Sequence, residues 1–407
     1  MKIKILWISP FIPYDKVPHA GGKVHNYYIK YFKKNLNCEI KLLTFAKKIE
    51  LSEFDLNNYN IDCEYIIKDK SFTTILVRKL LNLESKCNPF HKFGGGIMNF
   101  DIYGFKKMIK EYYKNNIENT PDYIILQWTQ AGLMIDYLKK LYPNSIYTII
   151  EEDVSFQGTQ RKVDSIQNPI IKTFYKIRSL KYKNAELLAL NHANIITVNN
   201  SKDRDLLLNE NIDNDKIIQV VPYFDNKVHI KTEPRNKNIL FYGAMHRAEN
   251  YLSAIWFIEK VFYQLHDNDI KFIIIGSNPN RQLLKYKSDR IKITGYVDDI
   301  EKYFKNSLCM VAPLLLGAGI KVKILEALSA GLPVLTNNIG AEGIGIVNGI
   351  HYINCSTPDD YTKAIYFLIK NKSLQKLLEK NGKQFIKDNF SIDIKLHELI
   401  QKMNTLR

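Results

Sequence analysis

The sequence predicts an α/β protein made of two doubly wound domains, and three observations carry that prediction. Short β-branched apolar runs without polar alternation recur along the chain, each followed by a helical stretch. Such strands are buried on both faces, as in parallel sheets covered by helices. At 407 residues the chain exceeds one typical core, so two domains of roughly 200 residues each are expected. A polar segment from Pro222 to Asn238, carrying two prolines, separates two βα series.

The first series has apolar runs at 3–8, 40–45, 123–127, 146–150, 195–198 and 217–221. The second has them at 239–242, 272–275, 291–294, 308–312 and 334–336. Helical spacing predicts helices over 22–34, 98–116, 130–141, 163–192, 250–265, 320–330, 358–371 and 373–388, which makes βαβ units of the strands they link. The 320–330 helix has a clear stop, Gly331-Leu332-Pro333, a C-terminal glycine with proline just beyond it. A last helix is expected over about 392–407. Ligands of doubly wound sheets sit beyond the carboxyl ends of strands, where loops lead into helix N-termini. Functional residues are therefore expected just after strands, on two domains facing each other across a cleft.

The most informative segment is 308–343. A buried strand ends at Pro313, a glycine-bearing turn Gly317-Ala318-Gly319 follows, and a helix is expected from Ile320. Free backbone N–H groups and the positive dipole end collect at such a helix start, and small residues let a phosphate approach them. Lys323 and Glu326 are three apart and share one face. Lys323 could meet a phosphate, and Glu326, a turn deeper, could accept from vicinal ribose hydroxyls. A solvated helical pair beside an ordinary turn would show the same spacing.

This segment, Lys323-Ile-Leu-Glu326-Ala-Leu-Ser-Ala-Gly331-Leu-Pro333-Val, resembles the C-terminal domain of group 1 nucleotide-sugar glycosyltransferases of the GT-B fold. Asn238 to Asn250, with Gly243 and Arg247, resembles that domain's opening strand and loop; Lys271 to Gly276 resembles its second strand. Ile293-Thr-Gly295-Tyr296-Val297-Asp298 resembles the loop that packs on the nucleobase, and Pro13…Gly21-Gly22-Lys-Val-His25 the glycine loop that touches the donor diphosphate from the other domain. The resemblance implies two Rossmann-like domains: 1–222 for the acceptor, joined by 392–407, and 223–391 for the donor. It implies a retaining, metal-independent transfer from a UDP- or GDP-sugar, with no further cofactor. Its implied donor-binding residues are Gly21, Gly22, Gly243, Arg247, Tyr296, Val297, Ala318, Gly319, Ile320, Lys323 and Glu326. Two departures stand out. The first glutamate of a common pair would fall at 318, which is Ala, and a common Gly-Arg…Lys pattern reads Gly243-Ala244 with Glu249. Phosphate neutralisation then rests on Lys323, with Arg247 or Lys321 as weaker candidates. A subgroup reading G-x-M-x-x-x-x-N and G-I-x-x-K-x-L-E shares both departures.

In the first half, Glu151-Glu152-Asp153 ends a strand. A carboxylate there could orient an acceptor hydroxyl or take its proton, and like charges would raise one another's pKa. Asp153 is the residue chosen for that role, together with Lys323 and Glu326 as catalytic residues; a helix cap or solvated loop is the competing reading. Gln127-Trp128 could line an acceptor site or simply cap the core. His25 could serve the glycine loop or only pack, and Glu186 falls where the resemblance places a structural acid.

Composition narrows the partners. Hydrophobic residues are 45% and charged residues 25%, which excludes a mainly disordered chain. The balance is 58 basic against 42 acidic, or +16, and only 9 of the basic residues are Arg. Lysine-rich surfaces give diffuse potential rather than the forked contacts that read base edges, so a phosphate-bearing ligand or an anionic membrane is expected and nucleic acid is not. Residues 161–183 hold seven basic residues and one acid, and 68–93 interleave basic and apolar residues as an interfacial helix does. The five cysteines, at 38, 63, 87, 309 and 355, show no metal or disulfide spacing, which fits a reducing cytoplasm. No signal peptide or membrane span is expected. The expected location is cytoplasmic, with the inner membrane face as a peripheral site. The expected acceptor is a lipid-linked or cell-surface glycan precursor of capsule or lipopolysaccharide type. A nucleotide-sugar 2-epimerase on a similar fold is the alternative, and a binding module without catalysis a third reading.

Overall fold

The computed structural model describes residues 2–17, 20–68, 75–76, 79–80, 83, 99–117, 119–164, 166–315 and 320–407. The expected glycine turn at 317–319, Ala318 and Gly319 with it, and most of the basic–apolar stretch 68–93 lie outside the described residues. The chain divides into two compact units, Met1–Val221 with Ile392–Arg407, and Pro222–Ser391.

The first unit is built on a seven-stranded parallel sheet. Its strands are β1 (Ile3–Ser9), β2 (Cys38–Ala46), β3 (Asp62–Ile67), β4 (Tyr123–Gln127), β5 (Ile146–Ile150), β6 (Ile195–Val198) and β7 (Ile217–Gln219), in the order β3-β2-β1-β4-β5-β6-β7. The second unit carries a six-stranded parallel sheet. Here β8 (Asn238–Tyr242), β9 (Lys271–Ile275), β10 (Ile291–Ile293), β11 (Cys309–Ala312), β12 (Val334–Thr336) and β13 (Ile353–Asn354) run in the order β10-β9-β8-β11-β12-β13. The central strands β4, β8 and β11 are almost wholly buried, which is why they read as unbroken apolar runs.

Among the described residues the helices of five residues or more are α1 (Ala20–Asn35), α2 (Asn99–Asn115), α3 (Trp128–Gly132), α4 (Ile135–Leu141), α5 (Ser155–Asp164), α6 (Pro169–His192) and α7 (Ser201–Asn209). They continue with α8 (Ala248–Lys260), α9 (Val322–Ser329), α10 (Pro358–Lys370), α11 (Lys372–Asn389) and α12 (Ile392–Thr405). The helix expected over 163–192 starts only at Pro169, and residues 163–164 close α5 instead. Asn168 starts α6, its side chain accepting from the Ile170 and Ile171 amides at 3.0 and 3.1 Å with Pro169 in the first turn. The stretch 130–141 likewise breaks into α3 and α4.

In both sheets the strand order reverses about one pair, β1 with β4 and β8 with β11. Loops leave such a pair in opposite directions and open a crevice at the carboxyl ends. α1 and the Trp128 turn follow the first pair, and Gly243 and the approach to α9 follow the second. α12 packs in the first unit: Tyr27 and Tyr31 hydrogen-bond Asp393, the latter at 2.9 Å to its carbonyl, and the Tyr123 hydroxyl donates to the Met403 carbonyl at 3.2 Å. Four described cysteines are free thiols, three of them buried. Among the described residues no helix is long and apolar enough to cross a membrane.

Candidate functional site

In the second unit, three loops at the carboxyl end of the sheet are stapled together by main-chain bonds. The Gly243 amide donates to the Ile275 carbonyl at 3.0 Å, the Met245 amide to the Ser277 carbonyl at 3.2 Å, and the Gly276 amide to the Gly295 carbonyl at 2.8 Å. The approach is so close that a Cβ on Gly276 would lie 1.7 Å from the Gly243 oxygen. Only glycine fits there. The staple carries Tyr296 and Val297 on the loop after β10, with the Tyr296 ring 73% exposed and so available to stack on a flat ligand.

α9 begins at Val322, two residues later than expected, because Lys321 keeps an extended backbone. Ile320 therefore lies in the lead-in, and Lys323 sits in the helix's first turn. Its ammonium donates to Asn250 Oδ1 at 2.5 Å and lies 4.9 Å from the centre of the Phe241 ring. It also closes over Gly243, where a Cβ would come within 3.0 Å of Nζ. Burial pulls the Lys323 pKa down to about 8, against the opposing field of Glu249; Arg247 and Lys321 lower it further. The ammonium remains the major form at pH 7.

Glu326 faces the same way one turn on. The Tyr242 hydroxyl lies 2.7 Å from Glu326 Oε2 and 2.8 Å from the Lys323 carbonyl oxygen. Burial, and then the Glu326 carboxylate, raise the Tyr242 pKa, so that hydroxyl stays protonated and donates.

The two weaker cation candidates are engaged elsewhere. Arg247 is mostly exposed and pairs with Glu249 at 2.5 Å; Lys321 lies 3.8 Å from Glu342. Among the described residues Lys323 makes no ion pair. Four of the expected donor-site residues, Gly243, Lys323, Glu326 and Ile320, thus gather around β8 and the lead-in to α9, Tyr296 and Val297 are tied to them through the staple, and Arg247 turns outward. Asn250 and Tyr242, which hold the two central side chains, were given no role by the sequence. Their signals were present: Asn250 is the motif's terminal Asn, and Tyr242 is the one polar residue closing an apolar strand.

In the first unit, Gly21 and Gly22 do not form a loop. They lie in the first turn of α1, where the helix supplies the close packing that glycine permits. A Cβ on Gly21 would lie 2.1 Å from the Trp128 ring. Trp128 itself has φ 71°, a left-handed conformation unusual for so large a residue, and its ring meets Phe11 edge-on at 4.4 Å. His25 is fully buried, with Nδ1 3.1 Å from Ser9 Oγ and 3.2 Å from the Phe11 carbonyl oxygen, and burial lowers its pKa to about 3. It is a neutral packing group.

The three acids after β5 differ sharply. Glu151 turns inward and accepts from Thr129 Oγ1 at 2.8 Å; burial and the Glu186 carboxyl hold its pKa well above the carboxylate range. Glu186 is fully buried and accepts the Ser155 amide at 2.8 Å, a structural use, and burial raises its pKa as well. Glu152 accepts from Gln127 Nε2 at 2.7 Å and Asn199 Nδ2 at 3.3 Å, and burial pushes it up to about 7. Asp153 alone is exposed, its pKa raised by partial burial and by Asp203.

Comparison with known proteins fits this geometry. Residues 236–371 match the family described as Glycosyl transferases group 1. A 44.6 kDa protein of the cps region of Klebsiella pneumoniae is 29% identical over 171 residues, 39% of this chain and 44% of that protein. The Escherichia coli UDP-Gal:alpha-D-GlcNAc-diphosphoundecaprenol alpha-1,3-galactosyltransferase is 28% identical over 152 residues, 34% of this chain and 39% of that enzyme. The chain spans about half the length of the curated relatives it matches. Among solved structures, Anabaena Alr3699/HepE in complex with UDP superposes with a TM-score of 0.63 at 12% identity, covering 100% of both chains. Residues 236–371 thus match group 1 glycosyl transferases, and the chain shares the two-domain GT-B fold of its structural neighbours.

Proposed function

We propose that this chain is a retaining glycosyltransferase. It takes a nucleotide diphosphate-sugar, with UDP or GDP as the nucleotide, and moves the sugar to a hydroxyl acceptor on a lipid-linked or cell-surface glycan precursor. One observation carries the reading: a half-buried ammonium without an ion pair among the described residues, Lys323, sits one helical turn from a carboxylate, Glu326, inside the segment that matches group 1 glycosyl transferases. The ammonium suits a diphosphate, and the carboxylate suits ribose hydroxyls. Tyr296 offers a face for the nucleobase. In the transfer, the acceptor oxygen forms the new bond to the sugar's anomeric carbon. The anomeric carbon–phosphate oxygen bond breaks, and its electron pair leaves with the diphosphate. The acceptor's proton passes to a phosphate oxygen or to Asp153. Lys323 and the first-turn amides of α9 stabilise the growing charge on the leaving group without requiring a divalent metal.

The acceptor class rests on the named specificity of the Escherichia coli relative and the cps setting of the Klebsiella one. A cytoplasmic enzyme working on such an acceptor would meet the inner membrane face. The first half of α6 supports that, since exposed Ile170, Ile171, Tyr175 and Ile177 are interleaved with Lys172 and Lys176. Flotation with anionic vesicles, lost on Ile170→Ser with Ile171→Ser, tests this.

A thermal-shift panel of sugar nucleotides should single out one donor. With that donor, Lys323→Ala and Glu326→Ala should each cut transfer by roughly 10²-fold or more. Near wild-type transfer by both variants would reject this site. Interconversion of sugar nucleotides with no acceptor added would replace transfer with epimerisation.

A further inference from the structure

Lys323 has three N–H bonds and, among the described residues, one hydrogen-bond partner, the side-chain oxygen of Asn250 at 2.5 Å. That oxygen is aimed by the rest of the amide. Asn250 Nδ2 donates to the Ala244 carbonyl at 3.0 Å, which fixes the amide's orientation and turns Oδ1 toward the lysine. Asn250 is 6% exposed, and its own amide bonds back to the Arg247 carbonyl at 3.0 Å, so both main chain and side chain are pinned in the first turn of α8. We propose that Asn250 is a positioning residue: as a neutral acceptor it holds the Lys323 ammonium over Gly243 while leaving its charge available to an anionic ligand.

A carboxylate at 250 would pair with the ammonium and cancel its charge toward a phosphate. It would also set an oxygen against the Ala244 carbonyl, where the amide now donates. An aliphatic residue would leave the ammonium without its anchor, and the long lysine side chain would lose its single geometry. The other charges around Lys323 are Glu249 and Arg247 at the start of α8, Lys321 in the lead-in to α9, and Glu326 on α9, with the Phe241 ring from β8. Arg247 and Glu249 pair with each other and Lys321 lies by Glu342, so none of these three replaces Asn250 as a holder. The inference rests on the reading of this site as a diphosphate site, and its test separates the two.

The measurement is the pH titration of Lys323 in the full chain without ligand, followed by NMR of isotopically labelled lysine and assigned by its loss in Lys323→Arg. Asn250→Asp should raise the titration midpoint by about one pH unit or more, because a carboxylate stabilises the ammonium. Asn250→Ser, shorter but still able to accept, should fall between wild type and Asn250→Ala, whose midpoint drops. Midpoints unchanged in both Asn250→Asp and Asn250→Ala overturn the inference. A parallel calorimetric titration with UDP, GDP and inorganic diphosphate tests the underlying reading. Wild type should bind more weakly as pH rises from 7 to 9, and Asn250→Asp should bind about tenfold more weakly at pH 7. No binding of any of the three by wild type rejects the diphosphate reading, whatever the NMR shows. Binding that Lys323→Ala abolishes and Asn250→Asp leaves untouched rejects the role of Asn250 alone.

Discussion

Tyr242 shows how one buried hydroxyl can fix the chemistry of a carboxylate. It is held at the end of β8, and its proton has Glu326 Oε2 and the Lys323 carbonyl as acceptors. Tyr242→Phe keeps the ring and removes the donor, so it should weaken nucleotide binding by about 1–2 kcal/mol while leaving the fold intact, read as a raised KM with matching Tm. Glu152 gives a second residue-level prediction, on stability. Its folded pKa of about 7 lies above the ordinary glutamate value of about 4.3, so the fold favours the neutral acid. That contribution is fully present below the lower value and is lost as pH rises through 7. Glu152→Gln should therefore flatten the fall in first-unit Tm between about pH 5 and 8, as followed by calorimetry; an unaltered slope would show that Glu152 does not titrate there. The pair Lys323 and Glu326 was legible because its spacing is local. Asn250 and Tyr242 were not assigned, because their importance lies in contacts across 73 and 84 positions of sequence, which periodicity does not reach.

At the level of elements, the buried strands were readable from their apolar runs, and β4, β5, β6 and β12 begin and end where the sequence placed them. The edge strands β3 and β13 were not. β3 is half-exposed and mixes acids with apolar residues, and β13 is two residues long, so neither shows an uninterrupted run. Helix breaks were missed for a related reason: Asn168-Pro169 is a start signal inside a stretch whose helical spacing continues on both sides. The packing of α1 on the Trp128 turn gives a sharp test. Gly21→Ala would drive a methyl into the indole, which would have to leave its contact with Phe11. We expect a loss of about 1–3 kcal/mol in first-unit stability. Combining it with Trp128→Ala should restore much of that loss, and additive losses in the double variant would show that the two do not touch.

For the whole molecule, the notable feature is that α12 lies beyond the second unit in sequence yet belongs to the first. It contributes Leu396, Leu399, Ile400 and Met403, all buried. At roughly 1.5–3 kcal/mol per fully buried side chain, losing them removes an amount comparable to a domain's entire stability. A chain ended after Ser391 should therefore melt its first unit early and keep the second, giving two separated calorimetric transitions in place of the wild-type pattern. The same arrangement sets an order of events on the ribosome. The strands of the first unit must wait, incompletely covered, until the whole second unit has emerged, so α12 closes a sheet made well before it. Nascent chains arrested short of Ile392 should be the ones that proteases and chaperones recognise.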